Sequence, residues 1–473
     1  MITDQNPGVS PGHYAERPAR RAYTSYAADF AEGRTTPRAL LEEAIAVIEA
    51  REEEVQAFCH LDLAGARLAA DAASARWREG APLSPLDGCV VGMKDTLDVR
   101  GMPSRMNSAL FDDSPKPYDS AASLALRDAG AVIIGKTWVP ELALGTPPPT
   151  RNPWDARRTA GGSSSGSGAA PGAGMAPVCI GNQTGGSLVR PCSFSGTYGL
   201  KPSHGVLNTG GMHPIALSQD HIGAMAGTLA DCWATTWELA ERAGSHGGVP
   251  GLAGGGGMPP ARKPVRLCRL RTLGWRDLDD GSARAFETLL GRIADRGVSI
   301  MDAGNDDRVA YLEELLIEGD ALSNSIIMYE LRWPLRAYIE THGREVVSEI
   351  LMARLERGLS MSPADYRAAL AGREAIRRAV DAVGRDVDGF ITLASSGPAP
   401  FADPSQAKGA GAHLATGSRA FLSPWSMVGG PSMSLPLMAV DGMPLGAQIM
   451  GLPGQDRQIV GLASWLDEPS LTA

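Results

Sequence analysis

Four things are scarce in this 473-residue chain, and each scarcity removes a class of protein. Nowhere do the roughly 18 consecutive apolar residues of a membrane-spanning helix occur. The first residues, MITDQNPGVSPGHYAERPARRAY, lack the apolar segment of a secretory signal, so a cytoplasmic location is expected. Residues 1–22 read as a loosely held arm ahead of a domain running from 23 to 473. The six cysteines (Cys59, Cys89, Cys179, Cys192, Cys232 and Cys268) contain no C-x-x-C pair. They read as reduced thiols, not as a disulfide framework or a zinc site. The eight histidines contain no H-x-x-x-H pair, and neither a metal nor a cofactor is expected. Positive charge is in deficit, 44 Lys and Arg against 53 Asp and Glu for a net −9, with no basic stripe to offset it. That balance excludes nucleic acid and anionic membrane surfaces as partners.

What is present in abundance is glycine and small hydroxyl residues, densest in Thr159–Lys201, TAGGSSSGSGAAPGAGMAPVCIGNQTGGSLVRPCSFSGTYGLK. Its two serine clusters, Gly161 to Gly166 and Thr184 to Ser187, flank the apolar run Met175 to Ile180. Glycines allow sharp turns and leave backbone N–H groups unobstructed, so such a stretch can cradle an anion or an oxyanion. The competing reading is a flexible Gly/Ser linker. The apolar run, with Phe194, Tyr198 and Leu200 beyond it, is built for burial and argues against that.

The rest of the chain alternates strand-like and helix-like segments. Thr36-Pro37 caps a helix over RALLEEAIAVIEAREEEVQAF, with a second helix at 64–77. The run Asp87 to Asp95 is β-like and sets Lys94 at the end of a strand inside a sheet. A helix at 121–129 leads to a strand at 131–134. After a helix at 230–243, the Gly/Pro-rich segment 244–264 reads as a loop that could separate domains. Strands at 265–270 and 298–301 bracket a helix at 282–294. Helical runs follow at about 309–317, 344–357 and 363–383, with Met328, Tyr329, Trp333 and Tyr338 read first as core and second as pocket wall. A strand at 389–393, a polar loop at 405–417 and two strands joined by Asp441-Gly442 complete the chain. Strands and helices interleaved from end to end point to one α/β sheet.

Two motifs compete for attention. Gly130 to Thr137 matches G-x-x-x-x-G-K-[ST], the phosphate-binding loop of nucleotide-binding proteins. Such a cradle needs a loop between its glycines and a helix at the lysine. Here Ala131 to Ile134 are themselves a strand, and Trp138-Val139-Pro140 is a poor first helical turn. Gly162 to Gly166 also fits G-x-S-x-G, the nucleophile elbow of α/β hydrolases. The residues before it do not read as the strand that the elbow requires.

A third constellation, Lys94, Ser163 and Ser187, fits better, and here the sequence closely resembles the amidase signature family. The matching segments are GMKD around Lys94, AGAVIIGKT at 129–137, RNPWD at 151–155, GGSSSGS at 161–167, TGGS at 184–187, YGLKPSHG at 198–205 and MPLGAQIMG at 443–451. The resemblance implies an α/β fold with a single large domain, a mixed central β-sheet covered on both faces by helices. It implies an amide-bond hydrolase working through an acyl-enzyme, with Ser187 as nucleophile, Lys94 as base and Ser163, after a cis peptide bond, as the relay between them. A lysine serves as a base only when neutral, so the site must desolvate it. Thr184, Gly185 and Gly186, with Ser187, would bind the substrate and its oxyanion through their N–H groups.

The implied partner is a small-molecule amide, or an aryl carbamate as for a urethanase. The apolar and aromatic content of 310–345 suggests a bulky, uncharged one. A homodimer is left open. The alternative within the resemblance is the glutaminase component of a tRNA-dependent amidotransferase, and outside it a nucleotide-binding protein. The chain departs from the family at Gln183, where many members carry Asp, and at Val189, where the arginine is displaced to Arg190. Arg190 is expected to pair with a structural acid, or else to meet a substrate carboxylate. Pro171 and Gly172 suggest a short or kinked helix after Ser163.

Overall fold

A computed structural model describes residues 20–403, 405 and 416–472. Residues 1–19 of the expected N-terminal arm and 406–415 of the expected polar loop lie outside the described residues. Among the described residues eleven strands join in one sheet: β1 (Phe58–Leu61), β2 (Val90–Lys94), β3 (Val132–Thr137), β4 (Val178–Gln183), β5 (Tyr198–Lys201), β6 (His221–Ala226), β7 (Arg266–Arg269), β8 (Ser299–Met301), β9 (Gly389–Leu393), β10 (Ser432–Val440) and β11 (Met443–Met450). Their order across the sheet is β1-β3-β2-β4-β6-β5-β10-β11-β9-β7-β8. β2 runs parallel to both β3 and β4, and β7 to both β8 and β9. The remaining neighbours are antiparallel, which makes the sheet mixed. Helices cover it, and the chain is one α/β domain. The loop at 244–264 is therefore no domain boundary, since β7 just beyond it pairs with β9 in the same sheet.

The sheet is hydrophobic along its middle because β2, β3 and β4 are buried on both faces. Such strands read as continuous apolar runs. Strand β3 extends to Thr137, three residues past the expected Ile134, because Gly135 lets the backbone of β1 approach closely. A Cβ built at Gly135 would lie 2.1 Å from the carbonyl oxygen of His60.

The first long helix is Pro37–Val55, with the Thr36 hydroxyl accepting from the N–H of Ala39 at 3.1 Å. It stops short of the expected Phe58. Gln56 turns left-handed at φ 49°, and the Glu52 carboxylate takes the N–H groups of Ala57 and Phe58 at 3.1 and 2.7 Å. That capture leads Phe58 out of the helix and onto β3 as an edge strand. Three other helices escape the sequence pattern: Gly319–His342, Ser423–Val428 and Asp456–Leu466. The first carries Pro334 in its interior, which masked the period. The helix expected at 344–357 begins at Glu349 instead, behind a Ser348 cap.

The central serine-rich stretch is no linker. The helix Ser165–Ala173 is buried along its whole length, with Pro171 inside it. Its small residues answer to crowding: a Cβ at Gly166 would lie 2.0 Å from the Ala57 carbonyl oxygen and 2.7 Å from the Trp138 nitrogen. Backbone cannot yield as a side chain can. Gly166→Ala is expected to cost about 1–3 kcal/mol of stability, read as a lowered urea midpoint at unchanged m-value, whereas an unaltered midpoint would show that this packing relaxes freely.

Candidate active site

The carboxyl ends of parallel strands in open α/β sheets are where ligands gather. Here β2 ends at Lys94, and β4 runs out through Gln183 into Thr184-Gly185-Gly186-Ser187. The helix Ser165–Ala173 packs beside β4 and presents the residues just before its N-terminus, Gly162 and Ser163, to the same place. The peptide bond between those two is cis.

Lys94 is fully buried, and its Nζ donates to Ser163 Oγ at 2.9 Å and to the Asn182 carbonyl at 3.2 Å. No described carboxylate forms an ion pair with it. Burial drives its pKa well below the ordinary lysine value, opposed by Asp220 and assisted by Arg190. A neutral amine in this position can accept a proton from the hydroxyl it touches. The other members of the serine run are occupied: Ser164 Oγ donates to Asn182 O, Ser165 Oγ to Gly161 O and Ser167 Oγ to Ile180 O. That removes the elbow reading, because its serine, Ser164, is fully buried and committed to the backbone.

Ser187 is half-buried and opens, with Ser163, Thr184, Gly185 and Gly186, on a cavity of about 780 Å³. This lies within the usual size range of small-molecule sites, about 300–1,000 Å³. The Ser187 carbonyl accepts from the N–H of Ser164 at 3.0 Å, tying the two serine clusters together. Among the described residues nothing accepts from the N–H groups of Gly185, Gly186 or Ser187, so they stand ready for an oxyanion. The loop's shape is fixed from both sides. A Cβ at Gly186 would press on Leu422 at 2.9 Å, and one at Gly185 on the Arg419 guanidinium at 3.2 Å. Thr184 Oγ1 donates to Asp220 Oδ1 at 2.5 Å, while Asp220 Oδ2 accepts from the N–H groups of Ile215 and Ala216. Asp220 was not singled out from the sequence, since a lone aspartate before a strand carries no motif.

The two departures resolve together. Gln183 Oε1 accepts from the N–H groups of Leu188 and Val189 at 3.0 Å each, satisfying the start of the helix Val189–Ser195, and its Nε2 donates to Ser426 Oγ. Val189 is fully buried beside it. Arg190 does not pair with an acid, contrary to expectation. Its guanidinium donates to the carbonyls of Gly162 and Gly417 and to Thr416 Oγ1, clamping the residue before Ser163 to the cavity's rim. Burial and the nearby Arg419 push its pKa down to about 9.

The phosphate-loop match also dissolves. Lys136 lies within β3, buried, with Nζ 2.8 Å from Asp95 Oδ1 and donating to Ser104 and Pro103. No helix starts there. The expected aromatic wall is absent as well. Met328 is core, Tyr329 stacks on Tyr366 at 4.2 Å, Trp333 is 72% exposed, and Tyr338 contacts His213 and Phe111. The described lining contains no aromatic side chain, only aliphatic residues such as Leu144, Ile215 and Ile327 with polar and charged ones. The expected variable segments 145–150 and 207–219 contribute Gly145, Pro147 and Ile215. No cluster of His, Cys, Asp or Glu among the described residues could hold a metal, and no described helix is long and apolar enough to cross a membrane.

A large mixed sheet carrying a buried lysine, a serine held against it and a glycine loop over a cavity belongs to the class of hydrolases that cut C–N bonds without a histidine. The family model described as Amidase matches residues 39–460, and the chain belongs to that family, the amidase-signature hydrolases. The corresponding component of the glutamyl-tRNA(Gln) amidotransferase of Chloroflexus aggregans is 30% identical over 460 residues, covering 91% of this chain and 92% of that one. Its counterpart in a Roseiflexus species is 41% identical over 206 residues, 42% of each. A solved amidase structure superposes with a TM-score of 0.82 at 30% identity, covering 94% of this chain and 99% of its own. The peptide amidase of Stenotrophomonas maltophilia shares the fold, with a TM-score of 0.76 at 23% identity over 96% and 97% of the two chains.

Proposed function

We propose that this chain is a free-standing amide hydrolase in which Ser187 is the nucleophile, Ser163 the proton relay and Lys94 the base. The observation that carries this reading is the 2.9 Å hydrogen bond from a fully buried lysine to Ser163, on the wall of the cavity that Ser187 faces. Ser187 Oγ attacks the amide carbonyl while its proton passes to Ser163 and from Ser163 to Lys94. The oxyanion is met by the N–H groups of Gly185, Gly186 and Ser187, and a donor of that kind is typically worth about 2.7–4 kcal/mol of barrier. Lys94 returns the proton through Ser163 to the leaving nitrogen, releasing the amine. Water, activated by the same pair, then cleaves the acyl-enzyme to the acid. Carbamates and esters present a carbonyl of the same geometry and are candidates for the same site.

A second reading is favoured by the relatives named for a tRNA-dependent amidotransferase: a glutaminase that passes ammonia to a partner. The purified chain, given p-nitroacetanilide, a long-chain amide, an aryl carbamate and glutamine, separates the two. Turnover of simple amides by the chain alone supports the free-standing hydrolase; turnover confined to glutamine and dependent on added partner proteins overturns it.

Asp220 is a positioning residue in this scheme, because it holds the Thr184 hydroxyl and two N–H groups of the cavity wall. Asp220→Asn is expected to lower kcat by about tenfold to a hundredfold, the scale of one lost charged hydrogen bond. Its negative charge also raises the Lys94 pKa, so its removal is expected to move the acidic limb of the pH–rate profile to lower pH. A drop in rate with an unmoved limb would assign Asp220 a purely structural part.

A further inference from the structure

The chain carries a net charge of −9, yet its cavity is cationic: Arg190, Arg276, Arg354 and Arg419 line it against only Glu318 and Asp320. Most of these charges are accounted for. Arg419 Nε sits 2.9 Å from Asp320 Oδ1 and its Nη2 donates to Asn324 Oδ1. Arg190 is committed to the carbonyls described above, and Arg276 and Glu318 are exposed to water. Arg354 is the exception. It projects from the helix Glu349–Ser360 into the cavity, its Nε is buried without a hydrogen-bond partner, and no described carboxylate pairs with it. The charged groups acting on it are Arg419 and Arg357, both of its own sign, and with burial they lower its pKa. A guanidinium desolvated among like charges is costly unless an anion completes it. It also offers a planar fork of donors that matches a carboxylate.

We propose that the ligand supplies that anion: the substrate is an amide that also carries a carboxylate, such as the monoamide of a dicarboxylic acid, with the carboxylate seated on Arg354. The inference rests on the amide-hydrolase reading and narrows its substrate class, reversing the uncharged one suggested by the aromatic content of 310–345. The aliphatic walls, Ile327 and Ile350 among them, suit the methylene chain between the two ends.

The test compares adipic acid monoamide with its methyl ester on wild type, Arg354→Gln and Arg354→Lys, alongside calorimetric binding of adipate. Wild type is expected to favour the free acid over the ester in kcat/KM by about tenfold to a hundredfold, the usual scale of a charge-assisted hydrogen bond. Arg354→Gln should erase that preference and adipate binding while leaving turnover of the ester nearly unchanged, and Arg354→Lys should recover part of both. Equal or faster turnover of the ester by wild type, or equal losses on both substrates in Arg354→Gln, overturns the proposal. Adipate binding without turnover of any amide would sink the hydrolase reading and leave the anion subsite. Turnover of neutral amides without adipate binding would do the reverse.

Discussion

Ser187→Ala is expected to lower kcat on any amide substrate by about 10⁶-fold, the scale seen when a serine nucleophile is removed from a hydrolase that uses its groups as a unit. The residue is half-buried at the cavity wall, and its replacement deletes one oxygen without disturbing a described side-chain partner. Folding stability should therefore stay close to wild type. Substrate binding should survive too, since the N–H groups of Gly185 and Gly186 and the cavity walls remain. The measurement is single-turnover kinetics with a calorimetric or fluorescence titration of the same variant. Residual turnover within about a hundredfold of wild type would be far too much for a lost nucleophile, and would move that role to another residue.

The second large effect belongs to Lys94. Lys94→Met keeps the length of the side chain and removes the base, and kcat is expected to fall by about 10⁴-fold, the upper range for general acid–base catalysis. The pH dependence follows from the direction of its shift. Burial holds Lys94 well below the ordinary lysine pKa, so the amine is neutral, and able to take a proton, at pH values where an exposed lysine is charged. Wild-type kcat/KM should rise with pH through that lowered value and be level well before the ordinary lysine pKa of about 10.4 is reached. The same shift acts on stability with a definite sign. An unfolded lysine is protonated below about 10.4, whereas the folded one stays neutral until the pH falls to its lower folded value. Between the two the unfolded state binds more protons, so stability rises with pH across this window. Lys94→Met should be flatter than wild type there and no less stable at neutral pH, because a buried amine is exchanged for an apolar group of similar shape. An inactive variant that was also strongly destabilised would point to a structural lysine instead.

Much of this arrangement is legible in the sequence because it is local. Val90 to Met93 form an unbroken buried strand, and that pattern puts Lys94 at the strand's end inside the sheet. The family resemblance named the two serines that the fold brings to the same cavity, and the serines between them are accounted for only by backbone carbonyls that no sequence pattern displays. What stayed hidden was decided at a distance. The helix Pro37–Val55 ends where the Glu52 carboxylate captures two N–H groups that continue the chain into β1, and β1 exists only because β3 offers it an edge. Asp220 matters through Thr184, 36 positions away. Arg190 could be assigned an acid on grounds of charge, but its partners are carbonyls of Gly162 and Gly417, the second of them 227 positions further along the chain. The aromatic residues of 310–345 showed a composition and not a direction. In the folded chain they turn to the core, to each other or to water, and arginines take the cavity.

The most direct test of the central claim is mass spectrometry of the chain quenched during turnover of an activated substrate such as an aryl ester or anilide. The account predicts an added mass equal to the acyl group, confined to the peptide that contains Ser187, absent from Ser187→Ala and discharged by hydroxylamine. Steady turnover with the acyl group on Ser163 or another residue, or with no acyl adduct under conditions where deacylation limits the rate, would contradict it.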